Sequence, residues 1–280
     1  MQCRGARVLG SFREIHWWLA GLIATTTSLA VYAEPLVIPG TAGSEFVLNE
    51  LAKAYEGGIV SIPPSIGSTR GIKAVRTGQA ALGRVSRTLT DEERAVGLKY
   101  QAFARDAAVF VAGSGANVTS LTSAQVRDIF SGRIRRWAEV GGADVPIRVV
   151  TREPTAAVAT ALRNAFPEFA DAKTFEEAKL AGRSAENLEL LFRYRMAIGL
   201  SSWVEVREAS HRLAVLTIDG KVATNEAVRS GRYPAAIEHA FVWKGRLEHT
   251  AERFIDFVYT PRGQAVLMRF GLIPMAPIPE

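Results

Sequence analysis

Ser65-Ile66-Gly67-Ser68-Thr69-Arg70-Gly71-Ile72-Lys73 follows a strand-like run, Gly58-Ile59-Val60-Ser61-Ile62, and a Pro63-Pro64 break. It opens a helix-like run from Arg70 to Thr77, with Ile72 and Val75 on one face. Small hydroxyl residues and glycines therefore fall at a helix N-terminus, where backbone N–H groups lack partners and the helix dipole is positive. Such an end suits an anion. One occurrence is more often a plain N-cap; the reading gains weight because the chain builds the same device again.

Upstream, Leu36-Val37-Ile38 reads as a buried strand, Gly40-Thr41-Ala42-Gly43-Ser44 as a turn, and Phe46 to Tyr55 as a helix with Phe46, Leu48, Leu51 and Tyr55 as its apolar set. Downstream, Ala80-Ala81-Leu82-Gly83 is a third strand-like piece, ending at Arg84-Val85-Ser86-Arg87. Thr90 with Glu93 three residues on is a capping box. Strand, loop and helix alternate, which predicts an α/β fold with much parallel sheet. Each loop leaves the carboxyl end of a strand, the edge where open α/β sheets bind ligands. The three loops bring Thr41, Ser44, Ser68, Thr69, Ser86 and Arg87 to one rim.

Beyond Tyr100 an extended apolar run reaches Val111, and Gly113 to Asn117 links to a new unit. Helices are expected from Leu121 to Phe130, over 155–165 and over 184–192, with strands at Ile147–Val150 and Met196–Leu200. Arg152 and Thr155 flank the exit of the first of these strands. The basic run Arg133-Ile134-Arg135-Arg136-Trp137 reads as a solvated face, with no nucleic-acid partner. Strand-like pieces at 214–218 and 241–243 precede two helices, Glu248 to Tyr259 and Pro261 to Phe270, and a proline-rich tail.

The 280 residues are 48% hydrophobic and 22% charged, with a formal charge of +6, as in a soluble globular chain. Residues 1–33 are expected to leave as a secretory signal peptide. Arg4, Arg7 and Arg13 precede the uncharged run Trp17–Val31, and Val31-Tyr32-Ala33 carries the small residues of a cleavage site. The alternative is an uncleaved anchor, for which the run is short. Cleavage removes three arginines and Glu14, taking the charge to +4, and it removes Cys3, the only cysteine. The exported chain then has no thiol for a disulfide, lipid or metal. His16, His211, His239 and His249 have no metal-site spacing, and there is no nucleophile elbow or phosphate-loop lysine motif. Neither an enzyme nor a cofactor is expected.

Together these pieces resemble the periplasmic phosphate-binding proteins of ABC importers and their phosphate-type solute-binding relatives. The likeness rests on the 65–72 loop, Gly83 to Thr90, Leu121-Thr122 through Trp137, Ala197-Ile198-Gly199, and Phe254 to Gln264 with Gly271-Leu272-Ile273-Pro274. It implies a two-lobed periplasmic-binding-protein fold of type II, with ligand gripped between lobes that close on a hinge. The first lobe would be 34–111 plus 204–280, and the second 112–203. It also implies a periplasmic monomer that passes phosphate or a similar small oxyanion to an ABC permease in the inner membrane.

Within the resemblance, Ser68 matches the ligand serine, and Thr41 or Ser44 stands for the first-loop hydroxyl. Arg152 matches the arginine that pairs with the anion, for which its planar fork suits a tetrahedral oxyanion. Two positions depart. Ser86 stands where the phosphate binders have an aspartate that accepts the ligand's proton, and Ala156-Ala157-Val158 stands where they have Ser-Gly-Thr, with Thr155 just before. Glu45 and Glu153 flank the motifs and read as solvated first-turn carboxylates. These departures leave open a binding or sensor module of the same fold with altered or lost phosphate binding.

Overall fold

The computed structural model describes residues 34–207 and 212–277; the expected signal peptide lies outside them. The chain begins β1 (Leu36–Val37), α1 (Glu45–Ala54), β2 (Val60–Ser61), α2 (Ser68–Arg76) and β3 (Gly83–Val85). Then come the short helix α3 (Asp91–Ala95) and the long strand β4 (Leu98–Gly113). The middle holds β5 (Ser120–Leu121), α4 (Ser123–Phe130), β6 (Arg148–Arg152), α5 (Ala157–Ala165), α6 (Pro167–Ala170), β7 (Lys179–Ala181), α7 (Ser184–Arg193) and β8 (Ala197–Ser202). After α8 (Trp203–Val206) follow β9 (Leu213–Val215), β10 (Thr217–Ile218), α9 (Asn225–Arg229) and β11 (Ala236–Lys244). Two helices, α10 (His249–Tyr259) and α11 (Pro261–Arg269), and a short β12 (Ile273–Pro274) complete the described chain.

β4 organises the molecule. Its first half pairs antiparallel with β11, from Leu98 opposite Lys244 to Ala107 opposite Ala236. Its second half pairs antiparallel with β8, from Ala108 opposite Ser202 to Ala112 opposite Ile198. The strand order is β3-β11-β4-β8-β6-β7. β1 pairs in parallel with β2 and joins β3 through a parallel bridge between Gly40 and Arg84. One sixteen-residue strand thus serves two α/β halves. Phe103, Phe241, Leu48, Leu51 and Phe254 fill the core of the first, and Phe110, Phe130, Phe169, Val150 and Leu200 that of the second.

Strand directions decide where the loops go. β3 is antiparallel to β11, which is antiparallel to β4, so β3 runs with β4 and its carboxyl end points toward the second half. β6 is parallel to β8, which is antiparallel to β4, so the carboxyl end of β6 points back toward the first half. The loops after β3 and β6 therefore face one another.

Two expectations change. Phe46 is 60% exposed and lies edge-on to Phe270, while Val47 takes its place in the core. Six apolar residues in ten leave more than one face compatible with burial, and α1 packs against α11. The return to the first half also comes later than residue 204. Leu213, Leu216, Ile218, Val228 and Tyr233 share the second core, and β9 and β10 pair with the end of β4 and with β5. Val204 on α8 touches the first core, but the chain contributes buried residues to it again only from β11. An apolar run says that it is buried, not in which core. The tail is an ordered strap: Ile273 pairs with Arg105, and the Met275 N–H donates to the Phe103 carbonyl.

Candidate functional site

Arg84 is the fully buried hub of the first half. Its Nε donates to the Thr41 carbonyl (2.8 Å), Nη1 to the Ile38 carbonyl, and Nη2 to the Pro63 carbonyl (2.7 Å) and the Glu45 carboxylate (3.2 Å). Burial holds its pKa below the ordinary arginine value, and Glu45 opposes that. One guanidinium thus ties the exits of β1 and β2 to β3. Glu45, expected in solvent, is half-buried and committed to this pair. Two glycines permit the close approach. Gly40 has φ +151°, and a Cβ there would fall 1.8 Å from the Arg84 carbonyl oxygen. A Cβ at Gly71 would fall 2.8 Å from the Gly40 Cα, so α2 can lie directly on the first loop.

The three first-half loops meet around Ser86. The Ser86 N–H donates to Ser68 Oγ (3.2 Å), and Ser86 Oγ lies 3.0 Å from Nδ1 of His239 on β11. A Cβ at Gly43 would come within 3.1 Å of Ser86 Oγ and 3.0 Å of His239 Cε1. Ser44 Oγ and His239 Nε2 are buried without a hydrogen-bond partner among the described residues. Burial pushes the His239 imidazole down to about 4, so it is neutral at physiological pH.

Of the expected residues, Ser68 and Ser86 touch directly, Thr41 is tied to Arg84 through its backbone, and Ser44 is buried next to Gly43, whose backbone approaches Ser86. Thr69 is exposed on the first turn of α2. Arg87 is turned aside: its guanidinium donates to both carboxylate oxygens of Glu93 at 2.8 Å and to the Thr88 carbonyl. A bidentate local carboxylate six residues away, which also completes the capping box of α3, occupies the fork that was expected to help hold an anion.

The second half contributes Arg152 at the carboxyl end of β6. Its Nε donates to the Ala181 carbonyl (3.0 Å) and Nη1 to Ser184 Oγ (3.3 Å), leaving Nη2 without a hydrogen-bond partner among the described residues. The side chain is only 10% exposed, with Glu153 3.8 Å away. Thr155 is exposed in the turn before α5, and Ala156 occupies the N-cap position.

Helix ends follow a pattern. Thr90, Thr122, Ser202, Thr224 and Thr260 cap α3, α4, α8, α9 and α11 with their own oxygens. Ser44, Gly67, Ala156 and Arg183 give α1, α2, α5 and α7 no side-chain cap. α6 and α10 are also uncapped, behind Phe166 and Glu248. α1, α2 and α5, which begin beside expected site residues, and α7, which begins at the Arg152 partner Ser184, thus keep orphan N–H groups, and each is nine or ten residues long. That arrangement can receive an anion from both sides.

Sequence reasoning missed Arg84, His239 and Ser184. A charge inside the apolar run 80–85, and a histidine alternating with Ile237 and Phe241, were the available signals. The basic run is a solvated face, as expected: Arg133 pairs with Asp128 and Arg136 with Asp144, while Trp137 is buried and donates to the Met196 carbonyl.

Two α/β halves on shared crossing strands, with uncapped helix ends and hydroxyls on facing edges, define a solute-binding protein of the periplasmic-binding class. The chain belongs to the PBP superfamily: residues 24–262 match the family described as PBP superfamily domain. Among curated proteins it is 23% identical to the phosphate-binding protein PstS of Borreliella burgdorferi over 214 residues, 74% of this chain and 77% of that one. It is 25% identical to PstS of Bacillus subtilis over 215 residues, 75% and 69% of the two chains. Among solved structures, a protein from Clostridium perfringens described as a phosphate ABC transporter substrate-binding protein, with phosphate bound, is 28% identical. It aligns with a TM-score of 0.79 over 87% of this chain and all of that one. An ABC-type phosphate transport receptor from Vibrio cholerae, 22% identical, aligns with a TM-score of 0.68 over 86% of this chain and all of that one.

Proposed function

We propose that this chain is an exported solute-binding protein that captures phosphate or a related tetrahedral oxyanion between its halves and delivers it to an ABC permease. The observation that carries the reading is the pattern of helix ends: α1, α2 and α5 leave N–H donors free where the expected ligand residues lie, and α7 does so beside Ser184, the partner of Arg152. Ser44, Ser68 and Ser86 add hydroxyls from the first half, and Arg152 adds a cation held in place by Ala181 and Ser184. The phosphate bound in the related Clostridium perfringens structure supports the same reading. Nothing in this arrangement calls for a reaction, so the chain acts by binding and release. The first lobe is 34–106 with 236–277 and the second 107–235, the division its cores suggest. It works as a monomer, exported through cleavage after Ala33.

Calorimetry on the purified chain with phosphate, sulfate and molybdate tests the reading. Saturable heat with at least one is expected, falling about tenfold or more in affinity for Arg152→Ala, since a charge-assisted hydrogen bond contributes about 1.5–3 kcal/mol. Silence with all three overturns it.

A further inference from the structure

We propose that His239, through its contact with Ser86, lets the site accept protonated and fully ionised forms of a tetrahedral oxyanion alike. This rests on the anion-binding reading above and narrows its ligand class. Three strand-exit loops converge here: Ser68 through the Ser86 N–H, Gly43 by close approach, and Ser86 itself, 3.0 Å from the imidazole. A carboxylate at position 86 could only accept a hydrogen bond. It would favour an oxyanion still carrying a proton and repel one that does not. A serine on a neutral imidazole behaves differently. With Nδ1 unprotonated, the hydroxyl hydrogen goes to the ring and the serine oxygen is left to accept from a P–OH group. With Nδ1 protonated, the ring donates to the serine oxygen and the hydroxyl hydrogen is free for a fully ionised oxygen. Changing tautomer switches the pair between acceptor and donor without moving net charge into the core.

The ring is suited to this. It is 1% exposed, Nε2 has no hydrogen-bond partner among the described residues, and Nδ1 faces a serine hydroxyl rather than a carboxylate that would fix one tautomer. Phe103, its aromatic neighbour, offers no polar atom. Glu238, the adjacent residue, is engaged with Arg105 and Tyr100.

The test is calorimetric titration of the full exported chain with inorganic phosphate and with sulfate at pH 8, where phosphate carries one proton and sulfate none. Dissociation constants within about tenfold are expected, against the roughly ten-thousandfold rejection available to a site with a committed polar partner. Ser86→Asp should restore an acceptor and lower sulfate affinity relative to phosphate at least a hundredfold. His239→Phe, with its fold checked by thermal melting, leaves the serine hydrogen no ring to go to when the oxygen accepts, so it should weaken phosphate more than sulfate; an equal loss of both overturns the proposal. Wild-type binding of phosphate with sulfate rejected a hundredfold or more overturns the proposal and leaves the anion-binding reading intact. Failure to bind either anion, or molybdate, removes that reading and the proposal with it.

Discussion

Asp106 is a carboxylate with no cation beside it. It is buried where β4 passes from one half to the other, with Oδ1 accepting from the Val204 N–H at 3.3 Å and Oδ2 unpartnered among the described residues. Burial raises it to about 7. Between its ordinary value of 3.8 and 7 the folded chain holds this proton more tightly than the unfolded chain, so its stabilising contribution is lost as pH rises through that window. His239 acts oppositely. Lowered from 6.5 to about 4, it is protonated first in the unfolded chain, so stability falls as pH drops from 6.5 toward 4. The two slopes offset each other between pH 4 and 6.5. Asp106→Asn is expected to stabilise the chain at pH 8 by on the order of 2 kcal/mol, and to expose a stability that climbs from pH 4.5 to 6.5. Urea titrations across pH check both. Arg84 makes the complementary case. Arg84→Met strands three carbonyls and Glu45 and should cost about 3–5 kcal/mol in the same assay, as for a broken buried ion pair.

Among the elements, the contrast between capped and uncapped helices separates stability from function. α4 is closed by a reciprocal box, Thr122 accepting from the Gln125 N–H and Gln125 Oε1 accepting from the Thr122 N–H. Thr122→Ala should cost about 1 kcal/mol of stability and leave anion affinity unchanged. α5 begins behind Ala156, a poor N-cap, with its first N–H groups unclaimed. Ala156→Asp should stabilise the ligand-free chain by about 0.5–2 kcal/mol. It should also lower oxyanion affinity at least tenfold, because the new carboxylate takes the same donors and repels the ligand. Melting curves and calorimetry on the two variants give opposite pairs of results if α5 is part of the site.

For the whole molecule, the joint is narrow. β4 and the start of β11 carry the chain between cores, and Tyr233 anchors the second crossing through its hydroxyl bond to the Ala108 carbonyl at 2.7 Å. A ligand touching both halves favours the closed arrangement by its differential affinity. Small-angle scattering should give a smaller radius of gyration with saturating oxyanion than without. At a hundred times the dissociation constant, the ligand should add about 2.7 kcal/mol to stability. Arg152→Ala, binding about tenfold more weakly, should gain only about 1.4 kcal/mol at the same concentration.

The alternation of strands and helices, the α3 cap and the hydroxyl-rich exits could be read directly from residues 36 to 130, because they follow from local hydrogen bonding and periodicity. Ser68 and Ser86 were legible as loop residues for the same reason. Arg84 and Arg87, three positions apart, were not distinguishable, yet one became a buried brace and the other a surface ion pair. The outcome depended on which carbonyls and carboxylates the fold brought near. His239 showed only its alternation with Ile237 and Phe241, and nothing local pointed to its partner Ser86, 153 positions away. Likewise the side of β4 on which residues 213–235 packed, and the facing of the β3 and β6 exits, were set by strand direction. Local sequence fixes periodicity and caps through contacts within a few residues. Which distant groups meet in a buried site is decided only when pairing across β4 sets register and direction.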